Sequence, residues 1–206
     1  MKDILYLLNH SEFSDRLIYP ALRGLDRIRP LEIIPIANPE KMLKRFIGHN
    51  YDLDRKQVHY RNMLEDISRS KFVAHTEMES GKIFFLKEDL YSDGLNWCFG
   101  GFTPAAVGLG YVLISSARVD DDFQARDIIR HELGHMFGAP SGGRKNTYDS
   151  LGLHCSNNLC VMQQKLSVPE SIRYAHIRRK TRAPAYCRDC IKDIVEYSPN
   201  LSVIKP

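Results

Sequence analysis

Residues 121–138 read Asp121-Asp122-Phe123-Gln124-Ala125-Arg126-Asp127-Ile128-Ile129-Arg130-His131-Glu132-Leu133-Gly134-His135-Met136-Phe137-Gly138. Asp121 with Gln124 three residues later has the form of a capping box, and Phe123, Ile128, Ile129, Leu133, Met136 and Phe137 recur at helical spacing. The pattern predicts a helix from about Asp122 that stops at Gly138 and Pro140. On that helix His131 and His135 lie one turn apart on the same face, so both rings can address one ion, with the Glu132 carboxylate beside it. This is the HExxH arrangement of a hydrolytic zinc site, and it makes the chain a candidate metallopeptidase; a coincidence on an ordinary helix is the competing reading of HExxH alone. Gly134 costs about 1 kcal/mol relative to alanine inside a helix. Its expected use is the close approach of another backbone segment.

Gly138 extends the motif to HExxHxxG, the start of a pattern in which a turn after the glycine delivers a third histidine to the metal. The position for that histidine holds Ser141, a poor zinc ligand. The next histidine is His154, after the segment Ala139 to Leu153. His154 is followed at once by Cys155, then by Cys160 and Met162, and later by the pair Cys187 and Cys190 in CxxC spacing.

In this ordered set the chain resembles the archaemetzincins, whose pattern is HExxHxxGxxHC, four residues, CxM and a distal CxxC. The matching residues are His131, Glu132, His135, Gly138, His154, Cys155, Cys160, Met162, Cys187 and Cys190, spread over roughly the last third of the chain. Two departures are an insertion before the third histidine and a long spacer between Met162 and Cys187. The resemblance implies two zinc ions. His131, His135 and His154 would bind a catalytic ion that keeps its fourth position open, and Cys155, Cys160, Cys187 and Cys190 a closed structural one. Glu132 would be the general base, and Met162 the Met-turn residue packed beneath the histidines, against the plain reading of a core methionine. Gln163 stands where some related families place an oxyanion-assisting tyrosine, which leaves transition-state stabilisation to the zinc ion.

Neighbouring side chains in an extended segment point to opposite sides, so adjacent His154 and Cys155 are expected to serve different ions. Two disulfides are the alternative for the four cysteines. The N-terminal run Met1-Lys2-Asp3 leads directly into Ile4 to Leu8 with no signal peptide in sight, and a reducing, cytoplasmic setting favours zinc. Cys98, beside Trp97, reads as a buried small hydrophobe.

The remaining readings are coarser. The chain has 206 residues, 43% hydrophobic and 26% charged, enough for one compact enzyme domain. The expected division is a 1–138 part with the sheet and active-site helix and a 139–206 part with the third ligand, Met-turn and four-cysteine site. No apolar run approaches the roughly 20 residues of a membrane span. A balance of 29 basic to 25 acidic residues is too mild to argue for nucleic acid. The local cluster Arg173, Arg178, Arg179, Lys180 and Arg182 reads first as a solvated helix face or loop.

Ile4–Leu8, Leu31–Ala37, Phe72–His75, Lys82–Leu86 and Tyr111–Ser115 read as strands, and 15–28 and 55–70 as helices. That alternation predicts an α/β fold, and with the resemblance a metzincin-like one: a twisted mixed sheet packed on helices including the HExxH helix, then a zinc-stabilised C-terminal helix. The glycine-rich stretch before Tyr111 is expected to hold, within Phe102 to Tyr111, either a substrate-pairing rim strand or a surface loop. His10, His49, His59, His75 and His176 lack mutual ligand spacing. The insertion, with Gly142, Gly143, Arg144 and Lys145, is expected to be a mobile flap. The expected activity is zinc-dependent hydrolysis of peptide bonds in a peptide or protein substrate. Its competitor is a zinc-stabilised binding module without efficient hydrolysis; nucleic-acid binding is the most remote reading, and no membrane partner is expected.

Overall fold

The computed structural model describes residues 2–70, 80–105 and 108–199, so the strand expected at Phe72–His75 lies outside the described residues. The fold is mixed α/β, with six helices and three sheets among the described residues. Two compact units emerge, and the boundary does not follow the expected 1–138 and 139–206 division. One unit takes its described residues from 2–13, 31–118 and 198–199; the other consists of Ser14–Pro30 and Val119–Tyr197. The HExxH helix therefore groups with Ser14–Pro30 and with the C-terminal segment, because it packs on helices from both.

In the first unit the strands are β1 (Asp3–His10), β2 (Leu31–Pro35), β3 (Tyr51–Asp52), β4 (Gln57–His59), β5 (Gly81–Leu86), β6 (Leu90–Ser92), β7 (Leu95–Cys98), β8 (Gly100–Thr103) and β9 (Gly110–Ser115). The main sheet has the order β2-β1-β5-β9-β8, parallel except for the antiparallel edge strand β8. Every residue of β5 and β9 is buried, as expected for interior strands of a parallel sheet. The helices α2 (Glu40–Asn50) and α3 (Tyr60–Ser68) bring Leu43, Ile47, Met63, Leu64 and Ile67 into one core with Leu8, Phe84, Leu86 and Leu113. Half-buried Cys98 packs against this core. The expected rim stretch shares only Phe102 and Thr103 with the edge strand β8, which begins earlier at Gly100, and ends in β9 at Gly110 and Tyr111.

Two local readings differ from the expectation. The helix expected over 55–70 starts only at Tyr60, because β4 pairs with β3 and β6 and His59 caps the helix by accepting the Asn62 N–H at 3.3 Å. Helix α2 was legible in the spacing of Met42, Leu43, Phe46 and Ile47 but was not anticipated.

In the second unit α1 (Asp15–Asp26) packs on α4 (Asp122–Met136). Their buried faces are Ile18, Ala21, Leu22 and Leu25 on α1, and Ile128, Ile129, Leu133 and Met136 on α4. A hairpin of β10 (Thr147–Asp149) and β11 (Leu153–Cys155) follows, then α5 (Val168–Thr181) and α6 (Arg188–Glu196). The Asp121 carboxylate caps α4, accepting the N–H groups of Phe123 at 2.8 Å and Gln124 at 3.0 Å. Gln124 reaches back to accept the Asp120 N–H at 3.1 Å, one residue earlier than a capping box requires. No helix among the described residues is long and apolar enough to cross a membrane.

The cap generates a stability prediction. Asp121→Ala removes the acceptor for two helix N–H groups, and chemical denaturation should show a loss of about 1 kcal/mol. An unchanged midpoint would mean that water replaces the cap without loss.

Candidate functional site

Helix α4 carries His131 and His135 on one face, and the strand β11 brings His154 to them. One ring nitrogen from each lies within 4.8 Å of the others. The ring centroids are 4.7, 5.2 and 5.3 Å apart. Each orientation has a backbone cause. His131 donates its Nδ1 proton to the Val161 carbonyl at 2.7 Å, and His154 donates its own to the Gly152 carbonyl at 2.8 Å. A backbone hydrogen bond at Ala139 acts on His135. The tautomer is thereby set, leaving Nε2 of His131 and His154 as lone-pair donors.

The consequence is an electrostatic demand. Nε2 of His131 and Nε2 of His135 stand 3.1 Å apart. Two tetrahedral zinc ligands at about 2.0–2.1 Å are separated by roughly 3.3 Å, so the donor set fits a zinc ion. Protons are disfavoured in that place. Burial, then the neighbouring His154, lowers the His131 pKa to about 3. Burial followed by the other two rings holds His135 well below the ordinary range, and burial lowers His154. Glu132, buried on the same helix, has its carboxyl pushed up to about 8 by burial.

The four cysteines form a second cluster. Cys155 lies on β11, Cys160 in the turn after it, and Cys187 and Cys190 at the start of α6. Their sulfurs all lie within 4.8 Å of one another, none in a disulfide, with Cys155 and Cys187 at 3.7 Å. Tetrahedral ligands about 2.3 Å from a zinc ion are separated by roughly 3.8 Å, so these thiols also fit the ion. Polar hydrogens already face the sulfurs: the Cys187 N–H lies 3.3 Å from Cys160 Sγ, the Asn157 N–H 3.5 Å from Cys155 Sγ, and Arg144 Nη2 3.5 Å from Cys190 Sγ. Hydrogen bonds from Cys160 and Cys190 lower the Cys155 pKa to about 2, while the same sharing raises Cys160 to about 12 and Cys190 further. His154 and Cys155, neighbours on β11, belong to different clusters.

Gly134 meets a side chain rather than the expected backbone. A Cβ there would lie 2.1 Å from Met162 Sδ and 3.2 Å from Tyr186 Cε1. Met162 is fully buried against α4 between its two histidines, and its carbonyl accepts the Cys155 N–H at 2.9 Å. At Gly138, with φ +70°, a Cβ would lie 2.4 Å from the Tyr197 ring. Both glycines are required by contact.

The insertion is not a free flap. Its Ser141 donates N–H and hydroxyl to Asp193 at 3.0 and 2.6 Å, and Arg144 Nη1 donates to the same carboxylate at 2.6 Å. Thr147–Asp149 then pairs with Leu153–Cys155, so the strand carrying His154 and Cys155 is itself held by the insertion. Gly142, Gly143, Lys145 and the hairpin tip 149–152 are exposed, and the other positions of the insertion are buried or half-buried. The reason is a charge pair hidden from composition: the Arg144 and Asp193 side chains are 14% and 8% exposed.

Among the described residues the other histidines stay outside both clusters. His59 caps α3, His49 pairs with Asp66 and His176 with Asp121, while His75 lies outside the described residues. The carbonyls of Val161 and Gly152 had no sequence signal, since every residue carries one. Tyr148 flanks His154 at 6.0 Å between ring centroids and accepts the Gln164 N–H.

No protein-family model matches the chain, and no curated protein matches it by sequence. Solved structures do. The chain is similar to archaemetzincin from Methanopyrus kandleri, with 21% identity, 94% of this chain and 93% of that one covered, and a TM-score of 0.64. It is similar to a zinc-dependent peptidase from Methanocorpusculum labreanum, with 18% identity, 92% and 99% coverage and a TM-score of 0.62. A third, archaemetzincin from Archaeoglobus fulgidus complexed with malonate, has 21% identity, 94% and 99% coverage and a TM-score of 0.58. The chain therefore has the archaemetzincin fold, the fold expected from its motifs.

Two stability predictions follow from these contacts. Gly134→Ala should destabilise by about 1–3 kcal/mol through overpacking on Met162, whereas in a Met162→Ala background the same change should lose most of that penalty. Equal penalties in both backgrounds, read from urea midpoints, would reject the contact. Asp193→Ala should cost about 3 kcal/mol by stranding buried Arg144, and proteolysis should then cut within 139–153.

Proposed function

We propose that the chain is a zinc-dependent peptidase of the archaemetzincin type, with Glu132 as general base. The observation that carries this reading is the convergence of three imidazoles, two with Nδ1 committed to backbone carbonyls, on a helix that also buries Glu132. His131, His135 and His154 would hold the catalytic ion, and Cys155, Cys160, Cys187 and Cys190 a structural one. Bound zinc supplies Lewis acidity, lowering the pKa of a water to roughly 7 and polarising a carbonyl.

The chain's own residues do the rest. The carbonyls of Val161 and Gly152 keep two rings from rotating, so the donor set is ready before binding. Glu132 takes the proton from the attacking water on a carboxylate oxygen and hands it to the leaving amine nitrogen. Burial alone pushes its carboxyl to about 8, and a divalent cation nearby acts in the opposite direction. Met162, filling the space at Gly134, takes the Met-turn role beneath the histidines. Gln163 follows it, so no tyrosine at that position assists the oxyanion.

A binding module with no hydrolysis has no use for a buried carboxylate between two ligands, which is why catalysis is the preferred reading. The substrate is a peptide or protein, and a reducing, cytoplasmic setting suits the free thiols. In the decisive experiment, Glu132→Gln should retain two zinc ions per chain while peptide hydrolysis falls by about 10²–10⁴-fold. Undiminished hydrolysis in this variant would end the proposed mechanism, and a single zinc ion in carefully prepared protein would end the two-ion assignment.

A further inference from the structure

A second charged centre lies on the same helix, on a different face. Phe123, Arg126, Asp127 and Arg130 of α4 recur at the spacing of one helix face, roughly 110° round the axis from His131 and His135. Opposite them α5 and its exit supply Arg178, Arg179 and Arg182, and together these side chains line a cavity of about 230 Å³. Five guanidinium groups thus face one carboxylate.

That carboxylate is already used. Asp127 accepts two bonds from Arg178, the Nε one at 2.9 Å, and Arg130 Nη1 stands 3.9 Å away. Among the described residues Arg126, Arg179 and Arg182 have no ion-pair partner; Arg179 instead lies 4.1 Å over the Phe123 ring. The second observation is a set of missing acceptors. Arg178 is 6% exposed on its side chain, yet its Nη1 is buried without a hydrogen-bond partner, as is Nε of Arg126; Arg130 turns Nε and Nη2 toward Gly24 and the Pro20 carbonyl of α1 instead. Buried guanidinium N–H groups left unpaired are expensive, and like charges held together repel. An acceptor-rich anion seated among them would relieve both penalties.

We propose that this cavity binds a compact phosphate-bearing small molecule carrying at least two negative charges. Guanidinium forks match phosphate oxygens in geometry and charge. The volume equals roughly eight waters at about 30 Å³ each, more than a single phosphate requires. The wall of the cavity also leads to the histidines. Ala183 and Ala185 line it; the Ala183 N–H donates to the Arg178 carbonyl at 3.0 Å, and the Ala185 carbonyl accepts the Val161 N–H at 2.8 Å. The Val161 carbonyl is the acceptor for His131 Nδ1. Tyr186, next in the chain, donates to the Arg130 carbonyl at 2.7 Å. The wall of the cavity is thus continuous, through backbone hydrogen bonds, with the strip that orients His131. The binding claim is independent of the peptidase reading.

Calorimetry on the full zinc-loaded chain, with pyrophosphate, inorganic phosphate and sulfate at matched ionic strength, tests the proposal. Saturable binding of one pyrophosphate per chain is expected, stronger than phosphate or sulfate. The exposed pair Arg179→Gln/Arg182→Gln should weaken it by about tenfold or more with no change in unfolding midpoint, and Glu132→Gln should bind as the parent does. Adenosine triphosphate and a short single-stranded RNA separate the sources: binding of the nucleotide with pyrophosphate affinity supports a phosphate-chain site. RNA binding far tighter than pyrophosphate, binding that ignores the arginine changes, or no saturable binding would overturn it.

Discussion

The hydrogen bond from His131 Nδ1 to the Val161 carbonyl is the joint on which the second unit depends. Val161 sits between Cys160 and Met162, so one short strip supplies a thiol, the acceptor that sets an imidazole tautomer, and the sulfur that fills the space at Gly134. The same strip is pinned on both sides: Val161 N–H to the Ala185 carbonyl, and the Met162 carbonyl to Cys155 N–H. Ala185 leads into Cys187, and Cys155 follows His154. Movement at Val161 would be felt in both clusters, because each borrows its geometry from the other's neighbours.

Helix α4 separates two opposite electrostatic problems. On one face, burial and mutual proximity keep imidazoles neutral and direct lone pairs at each other, a setting that favours a cation. On another, guanidinium groups crowd round a single carboxylate, a setting that favours an anion. Asp127 shows how strained that second balance is: burial raises its pKa even though Arg178 and Arg130 pull it down. A helix that carries both faces needs a firm frame, and it has one in the Asp121 cap, the apolar contact with α1 and the Tyr186 hydroxyl bond to its backbone.

The insertion before His154 shows why added chain length need not loosen a site. Its entry is bonded to Asp193 on α6, the helix that also carries Cys190, and its exit forms the strand that pairs with the His154 strand. Arg29 extends the same logic to the end of α6, donating to the carbonyls of Ile194 and Tyr197. Polar groups with partners at both ends turn a long connection into part of the scaffold.

The sequence alone determined whatever depends on local spacing. The HExxH helix, its cap at Asp121 and its stop near Gly138, the strands around Ile4–Leu8, Lys82–Leu86 and Tyr111–Ser115, and the order of histidines and cysteines were all legible, because periodicity, capping and turn chemistry act over a few residues. Tertiary structure decided what depends on partners far along the chain. Gly134 makes room for Met162 rather than for backbone, Arg144 is buried because Asp193 waits for it 49 residues later, and Arg178 leaves its expected solvated face for Asp127, 51 residues earlier. The grouping of the HExxH helix with residues 14–30 was likewise invisible in the order of the elements. In each case the energy comes from a contact between distant segments, and a linear pattern records the side chain's chemistry but not the partner that folding brings to it.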